Sequence, residues 1–243
     1  MGWVLRGLVA GLVAGVLAGL LALAIAEPSI DRAIAFEELQ ASLVHEDGAA
    51  AHEHDDGGGL VVSRQGQKAG LILATGLWGV ALGLILAIAF RAVRSRVAGA
   101  REGVSALLLS AGLFLALVLV PFLKYPPSPP GVGDPDTIGR RTLLYVAMVA
   151  ISAAALVAAA QIARRLTPRL GPLTRPVAGA VAFCAIAAVA GALMPTVAEI
   201  PEEFPADLLW DFRLSSLITQ AALWGILAAV FAVLADRARE RAG

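Results

Sequence analysis

Residues 7–26 read GLVAGLVAGVLAGLLALAIA, twenty residues without a charge. At about 1.5 Å per residue such a run crosses the roughly 30 Å of hydrocarbon in a bilayer. In lipid every backbone N–H and C=O must be satisfied within its own segment, so the run is expected to be a helix. Gly7, Gly11, Gly15 and Gly19 recur every fourth residue. They share one face and let another helix approach closely, which is a packing feature and not a transport feature. Ala24-Ile25-Ala26 also has the look of a signal-peptide cleavage site, and cleavage there would leave one span fewer.

Five further uncharged runs are long enough to cross: 69–90, 103–123, 142–163, 176–198 and 214–235. The expected fold is therefore all-α, a polytopic integral membrane protein of six transmembrane helices (five if the first is a cleaved signal). Three helical hairpins are one arrangement of them. Leu77-Trp78-Gly79 echoes Leu223-Trp224-Gly225, and Ala18-Gly19 stands before Ala26-Glu27 as Ala190-Gly191 stands before Ala198-Glu199. Such echoes suggest that the first and last hairpins are parallel repeats.

Composition agrees. The chain has 243 residues, 58% hydrophobic and 16% charged, against about 25% charged in a soluble domain. Mean hydropathy is +0.79. The whole chain, 1–243, reads as one transmembrane domain. Cys184 is the sole cysteine, so no internal disulfide is available. The neutral net charge hides a segregation of signs. Twelve basic residues fall in the segments after the second, fourth and sixth spans or at Arg6; seven fall on the other side. The basic side is expected to be cytoplasmic, with both termini there. Sixteen of the nineteen acidic residues then lie outside, where they raise the local concentration of cations.

Three outer loops carry those acids: 27–68, 124–141 and 199–213. The first, EPSIDRAIAFEELQASLVHEDGAAAHEHDD at 27–56, holds all three histidines and nine carboxylates. Imidazole and carboxylate together suit a divalent first-row metal. If a helix continues past Pro28 with a kink, Glu27, Asp31 and Glu38 share a face. His45, His52 and His54 follow in a Gly-rich stretch, a spacing that fits an exchangeable tether better than a closed site. Asp134 and Asp136 flank Pro135 in the Pro-rich second loop, and Asp207 and Asp211 stand four apart before the last span. These ten residues are the candidate metal ligands.

Two polar stripes enter the membrane and suit either an entry path or interhelical hydrogen bonding. One is Asp211, Ser215 and Thr219 with Ser216 and Gln220 beside it. The other is Arg141, Tyr145, Met148 and Ser152. The string GVGD at 131–134 matches intramembrane aspartyl proteases, but it lies in a Pro-rich loop and no partner Asp lies within a span. With no nucleophile–base pair either, an enzyme is not expected.

The segments FLKYPPSPPGVGDPDTIGRRT (122–142), AEPSIDRAI (26–34) and EFPADLLWDFR (203–213) resemble the CbtA family of predicted cobalt transporter subunits. The resemblance covers all three outer loops, and the span order agrees. It implies a polytopic permease in the plasma membrane, with Co²⁺ (or Ni²⁺) as cargo and no tightly bound cofactor. It also implies a small one-span partner with a His-rich tail, and nothing in it points to nucleic acid. The family is usually described with five spans, which leaves the Gly-rich first span as the departure. Two classes of function stay open: a Co²⁺ permease, and a non-transporting membrane subunit that recruits or stabilises a partner. No phosphate-binding loop for ATP is present. Energy then comes from another protein, a proton gradient or the membrane potential, the last worth about 4.6 kcal/mol per 100 mV for a divalent cation.

Overall fold

The computed structural model describes residues 2–47, 63–94, 102–130, 132–166, 174–197, 199–201 and 203–240. Each uncharged run is helical over most of its length, and there is no strand among the described residues. The spanning helices are α1 (Trp3–Ile25), α3 (Arg64–Val93), α6 (Ile138–Leu166), α7 (Thr174–Leu193) and α8 (Ala206–Glu240). The remaining span is α4 (Glu102–Phe114) continued through a π turn, Leu115–Leu119, into α5 (Val120–Lys124). Six segments are thus long and apolar enough to cross a membrane. Large apolar side chains such as Leu12, Leu73, Leu108, Leu143 and Val181 lie exposed on the outside of the bundle. That is the pattern of a chain solvated by lipid.

Lipid tails are as apolar as leucine, so burial from water does not hold such helices together; close packing does. The glycines of α1 supply it. A Cβ at Gly7, Gly11 or Gly15 would overlap the carbonyl oxygen of Gly83, Gly79 or Thr75. Gly79 and Gly83 answer in kind, each blocked by the carbonyl of Gly11 or Gly7. The backbones of α1 and α3 therefore touch directly. Ala10, Ala14 and Ala18 carry the contact into the main core, with Leu86 and Phe90 of α3 and Leu227 and Phe231 of α8. Trp3, Phe90 and Phe231 close the end nearest the N-terminus, with ring centroids 5.1 to 6.4 Å apart.

A second core joins α6 and α7 to the π turn through Ala116, Ala155, Ala159 and Phe183. Ser152 Oγ donates to the Ala116 carbonyl within the π turn and also lies 2.8 Å from the Met148 carbonyl on its own helix. At the start of α4, Asp236 of α8 accepts from the Gly103 N–H at 2.7 Å. It thereby caps α4 from across the bundle, a contact of a kind worth about 1 kcal/mol.

The chain stays helical past Pro28: Ala26 keeps an αR conformation and accepts from the Ile30 N–H at 3.2 Å, so α2 (Glu27–Asp47) follows α1 across a one-residue break. Other expectations change. The three-hairpin arrangement holds for α1 with α3 and for the third span with α6, but α7 packs on α6, while α8 packs on α1 and α4. The proposed repeat fails with it: Gly79 is in backbone contact with α1, whereas a Cβ at Gly225 would meet nothing. Finally, α7 stops at Leu193, just before Pro195, and α8 is one unbroken helix of 35 residues that takes in Asp207 and Asp211 together with the last span.

Candidate functional site

The outer ends of the helices are tied together by arginines. Glu27 is buried at the start of α2, 2.7 Å from Arg64 Nη2 and 3.7 Å from Lys68 Nζ of α3. Asp31, one turn on, accepts from the same Arg64 nitrogen at 2.5 Å. This hydrogen bond, more than any other influence, holds the exposed Asp31 carboxyl below the usual carboxylate range. Arg32 leaves the other side of α2 and meets Asp211 of α8 at 2.6 Å. That pair is half exposed, so it contributes at most about 1 kcal/mol. The apolar underside of α2 presents Ala33 and Phe36 to Val132, Phe204 and Leu208 of the other two outer loops.

Between these ties lies a cavity of about 750 Å³. Its walls come from the outer halves of α3, α5, α6 and α8, and the Pro-rich segment Tyr125–Ser128 contributes the rim. Tyr125 Oη donates to the Pro195 carbonyl at 2.7 Å and pins that rim to the end of α7. Burial raises the Tyr125 phenol above its ordinary value, with Arg140 pulling the other way, so it stays a proton donor. Deeper in, Thr75, Ser216 and Thr219 donate to carbonyls of their own helices. Their hydroxyl donors are thereby used, leaving acceptor lone pairs. Gln220 Oε1 and Trp224 Nε1 are buried in this wall and have no hydrogen-bond partner among the described residues.

Charge in the wall is mostly positive. Lys124, Arg141 and Arg213 line the cavity, with Glu199 as the carboxylate among them. Glu199 is already engaged: its Oε2 lies 3.2 Å from Arg141 Nε and accepts from Thr137 Oγ1 at 2.7 Å. Arg141 Nη2 also donates to the Asp134 carbonyl at 3.3 Å, and Arg213 Nε to the Pro127 carbonyl at 3.3 Å. Gly133 makes the Arg141 position possible. Its φ is +106°, a conformation open to glycine, and a Cβ there would strike the Arg141 guanidinium.

The ten residues expected to hold metal are therefore dispersed. Glu27, Asp31 and Asp211 are ion-paired with arginine or lysine. Asp134 shapes a turn, accepting from the Asp136 N–H at 2.9 Å and from Thr137 Oγ1 at 2.8 Å. Glu38, Asp136 and Asp207 are exposed to solvent. His52, His54 and the side chain of His45 lie outside the described residues. Among the described residues, no three His, Cys, Asp or Glu come together as a metal site would require. Cys184 is exposed on α7.

Both stripes read from the sequence divide at the cavity floor. Arg141 and Tyr145 line the cavity, while Met148 and Ser152 are buried in helix contacts. Ser216, Thr219 and Gln220 line it, while Asp211 and Ser215 do not. Arg64, Lys124, Arg213 and Glu199 were not singled out by sequence. A signal was present: Lys124, Arg141 and Arg213 flank spans on the side poorer in basic residues, where the usual bias disfavours them.

No curated protein and no solved structure matches the chain. A family model described as "probable cobalt transporter subunit (CbtA)" matches residues 2–236, nearly the whole length. The match takes in the Gly-rich first span, all three outer loops and every wall of the cavity, and on that extent the chain belongs to the CbtA family of probable cobalt transporter subunits.

Proposed function

We propose that the chain is the membrane permease subunit of a cobalt uptake system in the plasma membrane, with both termini cytoplasmic. The observation that carries this is the cavity: about 750 Å³, open among the outer helix ends and lined at depth by Thr75, Ser216, Thr219 and Gln220. A route for a hydrated cargo needs such polar groups, which lipid-facing surface does not offer. Capture from solution falls to the outer groups, namely the exposed carboxylates Glu38, Asp136 and Asp207 together with His45, His52 and His54. Glu27, Asp31 and Asp211 hold the outer layer in place and contribute field, not open ligand sites.

A second reading has one observation in its favour. In α7 only Phe183 is buried, so most of that span is uncovered. A lipid-exposed helix of this kind fits a docking face for a small one-span, His-rich partner, and the chain would then recruit and stabilise that partner rather than conduct.

Radioactive cobalt uptake by cells expressing the chain alone, and with the partner, separates the two. Uptake by the chain alone is expected, with Gln220→Leu lowering the maximal rate and Glu38→Ala or Asp207→Ala raising the half-saturating concentration. No uptake without the partner, restored fully by it even in Gln220→Leu, would assign conduction elsewhere.

A further inference from the structure

A cavity meant for a bare dication should offer anionic oxygen ligands. This one offers the reverse. Lys124, Arg141 and Arg213 face the space, and Glu199, the carboxylate among its lining residues, is taken up by Arg141 and Thr137. A guanidinium has five N–H donors in a planar fork matched to carboxylate. Among the described residues Arg213 uses one of them, on the Pro127 carbonyl, and Lys124 meets only the ring face of Tyr125, at 5.7 Å. One helix turn below Gln220, the Trp224 indole N–H is unpartnered although the residue is 97% buried, being 3% exposed. Among the described residues Gln220 Oε1, an acceptor on the same helix, is likewise unpartnered, and both atoms are sealed from the open space, so neither decides the sign of a guest. The three cations call for negative charge. The volume lies within the usual range for small-molecule pockets, about 300–1,000 Å³.

We propose that the cavity binds a small organic di- or tricarboxylate and that cobalt crosses as its chelate, the guest supplying the anionic oxygens that the wall lacks. This rests on the cavity being the transport route. Carboxylates of the guest bind Arg141, Arg213 and Lys124. The metal is handed from the outer acids and histidines to the guest, whose charge offsets both the metal and the basic rim.

The full chain in phosphatidylcholine nanodiscs is titrated with labelled malate, citrate and tricarballylate, with and without Co²⁺. At least one should bind saturably. Arg141→Gln/Arg213→Gln should weaken binding at least tenfold, and Lys124→Gln several-fold. Failure of all three acids to bind, or equal binding by both variants, overturns the proposal. So does retention of phosphatidylglycerol, lost in the arginine variant, that excludes the acids from nanodiscs containing it: the site would then be a lipid headgroup site. In cells, cobalt uptake should require the carboxylate. Uptake of aqua Co²⁺ at full rate without it overturns this proposal and leaves the permease standing. Intact carboxylate binding with no uptake of either form keeps the binding site and overturns the permease.

Discussion

Replacing Gly79 by alanine tests the contact on which the bundle is built. A Cβ there would overlap the Gly11 carbonyl oxygen and stand 2.8 Å from the Gly15 Cα and 2.9 Å from its nitrogen. All of these are backbone atoms, so no side chain can swing aside. Carbon contacts are comfortable only at about 3.5–4.0 Å, so α1 and α3 must part by roughly 1 Å at the crossing. A gap of that size forfeits a quarter to a half of each affected dispersion contact, and overpacking of this kind costs about 1–3 kcal/mol. Gly11→Ala meets the same obstacle from the other side, with the Gly79 carbonyl carbon at 2.7 Å. One separation relieves both, so the double variant should cost less than the sum of the singles. Gly225→Ala is the control, because a Cβ there meets nothing within 4 Å. It should be neutral or stabilising by up to about 1 kcal/mol through helix propensity. The assay is reversible unfolding in mixed SDS and dodecylmaltoside micelles, followed by tryptophan fluorescence. If Gly79→Ala proves as stable as Gly225→Ala, backbone contact between α1 and α3 does not hold the bundle together.

Three other outcomes are expected. Gly133→Ala should act as a partial Arg141 variant, because the residue's φ of +106° strains an alanine and the added methyl displaces the guanidinium; cobalt uptake should fall in both Gly133→Ala and Arg141→Gln, and normal uptake in Gly133→Ala would refute the link. Uptake affinity should weaken as external pH falls through about 6.5, where free histidine gains its proton and loses its metal, and His45→Ala/His52→Ala/His54→Ala should flatten that profile. Asp31 cannot account for such a slope: its carboxyl is depressed by Arg64, so its pairing is complete above about 4 and is lost only below that, as pH falls through the still lower folded value. Cysteine labels placed near Gly58 and at Arg94 should react from opposite sides of the membrane, and labelling of both from one side would overturn the assigned orientation.

The spans were legible because an uncharged run of twenty residues has few alternatives to a helix in lipid, and the four-residue glycine period of α1 announced a close partner. Which helix would be that partner was not written in the period; it came from Gly79 and Gly83, whose spacing matches that of Gly7 and Gly11. The outer acids were legible as acids but not as partners. Glu27 and Asp31 do share a face, as their spacing required, yet what that face meets is Arg64, more than thirty residues away in sequence. Period and spacing describe one element at a time, whereas pairing belongs to two. The cavity was hidden for the same reason: Arg141, Arg213 and Lys124 begin or end three different spans and become neighbours only through the packing of the bundle.

The π turn at Leu115–Leu119 has a consequence for phase along the third span. An i→i+5 turn is in effect one residue inserted into an α-helix, and one residue is about 100° of rotation. Everything beyond Leu119 is therefore turned by that angle relative to an uninterrupted helix begun at Glu102. Phe122 and Lys124, which line the cavity, lie beyond this offset. Deleting a single residue within 115–119 would restore an even helix, leave 102–114 in register with α8, and swing the lysine off the rim. The first half of the span is thus keyed to the bundle and the second half to the cavity, with one surplus residue keeping the two in different phase.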